Sequence, residues 1–415
     1  MQYKIKFGKD NYTIKTDEKC KILEPKKIRL KDDKDLIKKA LKNPIKKKPL
    51  QEFLENTEQI LIIVNDGTRP TPTAKILSEI NKFFDLEKKG KFIVACGSHR
   101  PPNSEEYKFI FGDLYSKFKN NILVHDAKNK KYLKLIGKTK KGTKIAFNKV
   151  IFEYDKIITI NSVEPHYFAG FTGGRKSFLP GVAGYETIEM NHKHALNNKS
   201  CTLKLENNPV HEDMMDALSF IKNLDVFSIQ IVLTPDAKIY DIITGNIIDS
   251  FIKATKKAKE IFCVPLKNKA NIVVTVALPP MDLNLYQSQK ALENGRLALE
   301  EEGIIILVSE CHKGIGPDNF MKLLESAKHP KEVLDYLKNN YKLGYHKAGK
   351  IAELATESKI YAVTNIDKKI IKKAFMKPYK NIQDAIEDAI KEIKIKNKEP
   401  KLVILPNGCL TVPFV

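Results

Sequence analysis

The stretch ILIIVNDGTRPTPTAKILSEINKFF (60–84) decides the fold of this chain. Its opening run, ILIIV, is apolar without interruption and rich in β-branched residues, the pattern of a strand covered on both faces. A polar loop with Gly and Pro follows, and then a helical pattern. The same order recurs twice: KFIVAC (91–96) precedes GSHRPPNSEEYKFIF, and KIITIN (156–161) runs into SVEPH and a glycine-rich stretch. Buried strands that alternate with helices predict an α/β fold with a largely parallel sheet and flanking helices. In such open sheets, ligands bind beyond the carboxyl ends of the strands. The three loops after these strands are therefore where chemistry is expected.

Arginine usage points to the same loops. Only five of the 72 basic residues are arginine, and three of them stand in these segments: Arg69 in NDGTRPTPT, Arg100 in CGSHRPP and Arg175 in EPHYFAGFTGGRKSFLPGVAG (164–184). Elsewhere lysine is used almost without exception. A planar fork of donors matches carboxylate or phosphate in a way that an ammonium cannot, so the three loops are expected to form one anion-binding site.

Bulk composition bounds the rest. A chain of 415 residues, 42% hydrophobic and 29% charged, is an ordinary globular protein of two or three domains. Its net charge of +22 is spread over every segment, with no RNA-binding or zinc-finger spacing, so no specific nucleic-acid partner is expected. Six cysteines stand far apart without a C-x-x-C pair, as suits thiols in a reducing compartment. No apolar run approaches a membrane span, and the opening MQYKIKFGKDNYTIK alternates like a strand. The expectation is a cytoplasmic protein with no membrane partner.

Texture changes near residue 265. Strands are expected at 271–278, 303–310, 359–364 and 401–406, with helices over 285–301, up to about 355, and over 380–394. This gives two α/β domains, 1–265 and 266–415, with KEIFCVPLKNKA (259–270) as the hinge. A small substrate is expected in the cleft between them.

Within the loops, five of the 20 glycines fall between 166 and 184: Gly170, Gly173, Gly174, Gly181 and Gly184. Clustered glycine lets backbone amides approach an anion, although a turn kept for packing has the same composition. GFTGGRKS departs from a P-loop, because Arg175 stands where that motif requires glycine. His99 and His166 each follow a buried strand, and paired imidazoles can exchange roles as base and acid. Lys176 sits in a crowded cationic setting that favours a covalent role. His192 and His194 are two residues apart and point to different sides of a helix, which leaves a lone ligand and no joint clip. His125, His211, His312 and His329 carry no supporting pattern. In the second domain, Tyr286, Gln287 and Lys290 share a face at the start of a helix.

Taken together, D-x-T-R-P (Asp66, Thr68, Arg69, Pro70), G-S-H-R-P (97–101), the long E-P-H-Y-F-A-G-F-T-G-G-R-K-S-x-L-P-G-x-A-G motif and Q-x-x-K (Gln287, Lys290) resemble the nickel-pincer lactate racemase family. The resemblance implies an isomerase that racemises or epimerises a small 2-hydroxy acid, lactate-like or malate-like, through its 2-oxo acid. It implies nickel held by a pyridinium-3,5-bisthiocarboxylic acid mononucleotide attached to Lys176, with His192 as the nickel ligand. A single protein imidazole suits a metal whose other donors come from the cofactor. By the same resemblance, His99 and His166 are the catalytic pair in a proton-coupled hydride transfer. Asp66, Thr68, Arg69, Gly170, Gly173, Gly174 and Arg175 surround the cofactor; Arg69, Tyr286, Gln287 and Lys290 meet the substrate; and Asp66 orients Arg69 or the phosphate side. The enzymes that build the cofactor are the implied transient partners. The chain has no tryptophan, whereas well-known lactate-specific members place one near the substrate; GYHKAGK (344–350) offers Tyr345 or His346 there. Set against this reading is a cofactor-free phosphate- or nucleotide-binding protein that uses the same glycine-rich cradle.

Overall fold

The computed structural model describes residues 2–8, 10–26 and 28–414. It divides into two compact units: Ile28–Ile261, and Met1–Lys27 together with Phe262–Val415. Each is built on a six-stranded sheet, as an α/β fold requires.

In Ile28–Ile261 the strand order is Ile239–Gly245, Asp225–Leu233, Lys156–Ser162, Ile60–Asn65, Gly90–Ala95 and Ile122–Val124. Only the outermost pair, Ile239–Gly245 with Asp225–Leu233, is antiparallel. Ile60–Asn65 comes first in the chain, and later strands are added on both sides of it. That creates a switch point between Ile60–Asn65 and Lys156–Ser162, where loops diverge and leave room for a ligand. Ile60, Leu61, Ile62, Ile63 and Val64 are all fully buried. Alternate side chains face opposite sides, so Ile60, Ile62 and Val64 pack against Ile76, Leu77 and Ile80 of helix Thr73–Ile80. Each such aliphatic side chain contributes about 1.5–3 kcal/mol by leaving water.

The second sheet is parallel throughout, in the order Met376–Tyr379, Lys359–Val363, Leu299–Val308, Ala270–Val276, Leu402–Leu405 and Cys20–Ile22. Its switch point lies between Ala270–Val276 and Leu402–Leu405.

One expectation is corrected. The N-terminal residues do not belong with the first unit: Cys20–Ile22 extends the second sheet through Leu402–Ile404, and Ile5 and Ile14 of the preceding hairpin are buried in its core. Helix Ile247–Phe262 runs directly into Cys263–Pro265, which pairs with Val412–Phe414, and the division between the units falls at Ile261 and Phe262, inside the segment 259–270.

Candidate active site

The first functional turn is made by its own aspartate. Asp66 follows strand Ile60–Asn65, and its Oδ1 accepts from the Thr68 N–H (3.1 Å) and the Thr68 hydroxyl (2.6 Å). This side-chain turn is what Asp-Gly-Thr favours after a strand. The other oxygen, Oδ2, lies 2.7 Å from His99 Nδ1. Burial would push the Asp66 carboxyl up, but the bond and charge of His99, the Thr68 hydroxyl and the Arg69 charge outweigh it and hold it below its usual range. An ionised Asp66 keeps the His99 proton on Nδ1 and leaves Nε2 as the acceptor.

Strand ends are tied to one another. Asn65 Oδ1 accepts from the Thr71 hydroxyl (2.8 Å) and the Ser162 N–H (3.3 Å). Thr172 Oγ1 accepts from the Glu164 N–H and donates to Ser162 O, both at 2.9 Å. Glu164 so placed takes Arg69 Nη1 at 3.0 Å.

The glycine-rich loop is anchored from both sides of Lys176. Ser177 Oγ donates to Asn161 Oδ1 at 2.7 Å. Arg175 turns the opposite way: it is 1% exposed, donates to Ala169 O (2.6 Å) and Gly173 O (3.3 Å), and lies 4.3 Å over the Phe251 ring. Burial pulls its guanidinium down to about 9. The Gly97 N–H donates to Gly181 O at 3.0 Å, so the His99 loop and the Lys176 loop are stitched together.

Phe168 is the hub. The His166 ring stands edge-on to it at 4.5 Å, the His192 ring at 5.1 Å, and Lys176 Nζ is 5.8 Å from its centroid. His166 Nδ1 accepts from the Ala169 N–H at 3.3 Å, which places the neutral ring's proton on Nε2. His99 and His166 therefore present opposite tautomers, one an acceptor and one a donor. Burial, reinforced by the charges of Lys176 and His99, drives the His192 imidazole down to about 3 against a hydrogen bond to the Ile188 backbone. Burial thus favours the neutral imidazole of His192, the form that can donate a lone pair. His194 lies in the next turn, 4.0 Å from buried Asp213, away from such a role.

The single anion site expected of the three arginines is not what forms. Arg100 is exposed and forks onto Glu106 (2.7 and 2.9 Å), Arg175 braces its loop from inside, and Arg69 meets Glu164. The glycines are crowded by protein rather than open to a phosphate. A Cβ on Gly173, at φ +82°, would meet Val163 Cγ2 at 2.5 Å; one on Gly174 would meet Phe251 at 2.8 Å, and one on Gly170 would meet Lys204 O at 2.3 Å. The Gly174 N–H is taken by Gln230 Oε1 at 3.0 Å. Packing is the reason for these glycines. Asp66, expected to orient Arg69 or a phosphate, instead takes His99 as its ring partner.

In the second unit, Asn284 caps helix Leu285–Arg296 by accepting from the Gln287 N–H at 2.9 Å, which sets Tyr286, Gln287 and Lys290 on its first turns. Lys290 Nζ lies 3.4 Å from Met281 Sδ. Sequence reasoning missed Lys347, which is 4% exposed, donates to Tyr286 O and lies 3.9 Å over the Tyr286 ring. Burial, then the charge of Lys290, lowers its ammonium well below the ordinary range. His346, singled out in the same segment, is buried and bonded to the Tyr341 hydroxyl at 2.9 Å. No helix among the described residues is long and apolar enough to cross a membrane.

Comparison with known proteins converges on one family. The lactate racemase N-terminal domain matches residues 6–203, and the lactate racemase C-terminal domain matches 266–412. A lactate racemase of Thermoanaerobacterium thermosaccharolyticum is 32% identical over 388 residues, covering 91% of this chain and 89% of that one. The lactate racemase of Lactiplantibacillus plantarum is 30% identical over 387 residues, covering 91% and 90%. The apoprotein structure of lactate racemase from T. thermosaccharolyticum superposes with a TM-score of 0.90 at 31% identity, over 100% of both chains. A Thermotoga maritima protein shares the fold, with a TM-score of 0.67 at 18% identity over 92% of this chain and 98% of that one.

Proposed function

The chain belongs to the lactate racemase family and is an isomerase, and from that premise we propose that it racemises lactate or a close 2-hydroxy acid at the carboxyl edge of the Ile28–Ile261 sheet. The observation that carries the reading is the grouping of His166, Lys176 and His192 around Phe168, with the His99 loop stitched to the Lys176 loop through Gly97 and Gly181.

The family's nickel-pincer nucleotide fits these residues. A metal needs a deprotonated donor, and burial keeps the His192 imidazole neutral. Lys176, held in place by its neighbours Arg175 and Ser177, would carry the covalent attachment. When bound, the group supplies hydride-accepting chemistry that no amino-acid side chain offers.

The chain itself supplies proton control and orientation. With Nδ1 committed to Asp66, His99 takes the substrate's hydroxyl proton at Nε2. His166 is the complementary group: it takes up a proton to become the imidazolium that acts as the acid, and returns to the neutral ring on giving that proton up. After one passage from substrate to product enantiomer the two imidazoles have exchanged roles, as a reversible racemase requires. Arg69, half-buried and within reach of solvent, binds the substrate carboxylate alongside Glu164. Tyr286 and Lys290 of the second unit are the other groups we propose for substrate recognition, and the Lys347 amine lies behind Tyr286.

The test is to express the chain with the cofactor-building enzymes and follow conversion of pure L- and D-lactate by enantiomer-specific assay, with malate in parallel. Conversion in both directions to a racemic end point is expected. A nickel-loaded protein that leaves every 2-hydroxy acid optically unchanged contradicts the reading.

A further inference from the structure

Beyond the loops that carry this reading, the second unit holds a cluster that the racemase chemistry does not use. Asp282, Glu310 and His312 each bring one ligand atom to within 4.8 Å of the others. Glu310 and His312 follow strand Leu299–Val308, and Asp282 lies in the turn Met281–Leu283 after strand Ala270–Val276. These strands are adjacent in the sheet, so the cluster sits at its carboxyl edge, where open sheets bind ligands.

Asp282 is what calls for a ligand. It is 1% exposed, and neither carboxylate oxygen has a hydrogen-bond partner. Buried polar atoms are nearly always paired, and a buried carboxylate with no donor is among the costliest groups a fold can carry. The turn around it is held by backbone bonds: the Met281 N–H to Leu278 O (2.8 Å) and the Lys313 N–H to Leu283 O (2.8 Å). That second bond ties the His312 loop to the Asp282 turn. On the far side, the Asn365 N–H donates to Glu310 O at 3.1 Å. The fold therefore brings two carboxylates together and supplies no donor for the buried one.

We propose that Asp282, Glu310 and His312 form a divalent-cation site. Two carboxylates and one imidazole suit Mn²⁺ or Zn²⁺; the absence of thiolate ligands argues against softer ions. Metal–ligand bonds of about 2.0–2.2 Å hold tetrahedral donors about 3.4 Å apart, so the side chains draw in on the ion to complete the set. Glu310 and His312 are 33% and 45% exposed, which opens the site to ions and leaves positions for water. The ion compensates Asp282 and joins the turn after one central strand to the loop after its neighbour.

The test uses the full chain, stripped with chelator, and titrates Mn²⁺ by the loss of its free-ion electron paramagnetic resonance signal, with Zn²⁺ by competition. His192→Ala serves as a second parent, because it removes the nickel ligand proposed above without touching this cluster. One saturable Mn²⁺ or Zn²⁺ per chain is expected in both parents. Asp282→Asn and His312→Ala, each checked for folding by circular dichroism, should bind at least about tenfold more weakly. His312 is partly exposed, so its variant remains informative if Asp282→Asn does not fold. Binding that disappears in His192→Ala but survives loss of His312 overturns the assignment. So does the absence of saturable binding of either ion to the folded parent, which would leave Asp282 as a protonated acid.

Discussion

The two sheets of this molecule share an architecture and differ in what their carboxyl edges carry. Both have six strands and a switch point beside a central parallel strand. The edge of Ile28–Ile261 holds imidazoles whose protons are assigned by neighbours, with Asp66 bonding His99 and the Ala169 N–H bonding His166. The edge of the second unit holds amines and carboxylates: Lys290 and Lys347 near Tyr286, and Asp282 beside Glu310. The proposed proton transfer and the Arg69 cation share the first edge, and the second edge carries charged groups of its own. Fold supplies the platform and loops supply the chemistry.

The sharpest way to break this division is at Lys176. Lys176→Ala should reduce racemisation to the assay background and remove bound nickel, read by metal analysis and visible absorbance. Next come the imidazoles. His99→Ala or His166→Ala should cost about 10²–10⁴-fold in turnover while nickel stays bound, since general acid–base groups contribute on that scale. Asp66→Asn, which leaves His99 in place but withdraws the charge that fixes its tautomer, should cost roughly 10–100-fold. If instead Lys290→Met at the other edge lowers kcat as much as His99→Ala does, the division fails. The expected effect of Lys290→Met is a KM raised about tenfold with kcat little changed.

Smaller effects sharpen the picture of the loop. Gly173→Ala should destabilise by about 1–3 kcal/mol in thermal or urea unfolding, because φ +82° is strained for alanine and the new Cβ meets Val163 and Gln230. Acid should act on the same region. His192 holds a value of about 3 in the fold against an ordinary 6.5, so between those values the unfolded chain binds a proton that the folded chain refuses. Apoprotein stability therefore falls as pH is lowered from 6.5 towards 3, and His211, also driven to about 3 by burial and Arg175, adds to the slope. Asp66 acts in the same sense: its contribution is present above the ordinary carboxylate value and is lost as pH falls through its lowered one. His192→Ala should reduce the slope of urea stability against pH in that window.

Much of this was legible in the sequence. Ile60–Val64 and the other continuous apolar runs are strands because only full burial on both faces accommodates them. The loops after them lie at the carboxyl edge because a parallel sheet sends every such loop there. Other features were hidden for identifiable reasons. The pairing of Cys20–Ile22 with Leu402–Ile404 joins three residues across almost the whole chain, and no local periodicity reports such a contact. The sequence marks Arg175 as an anion fork, but charge in a sequence carries no direction; its guanidinium faces inward onto Phe251. The glycines between 166 and 184 looked like a phosphate cradle, whereas contacts such as Gly173 to Val163 give each a packing role. Lys347 is one lysine among many, marked out only by its burial against Tyr286. Glu164 and Phe168 were inside a motif already quoted, and their roles emerged only from distances to Arg69, His166 and His192.

The most direct test is intact-mass analysis with peptide mapping of protein expressed beside the cofactor-building enzymes. A covalent increment is expected on the peptide containing Lys176, present in active protein and absent from the Lys176→Ala variant. Full racemase activity with an unmodified Lys176, or an increment mapped to a different residue, would contradict it.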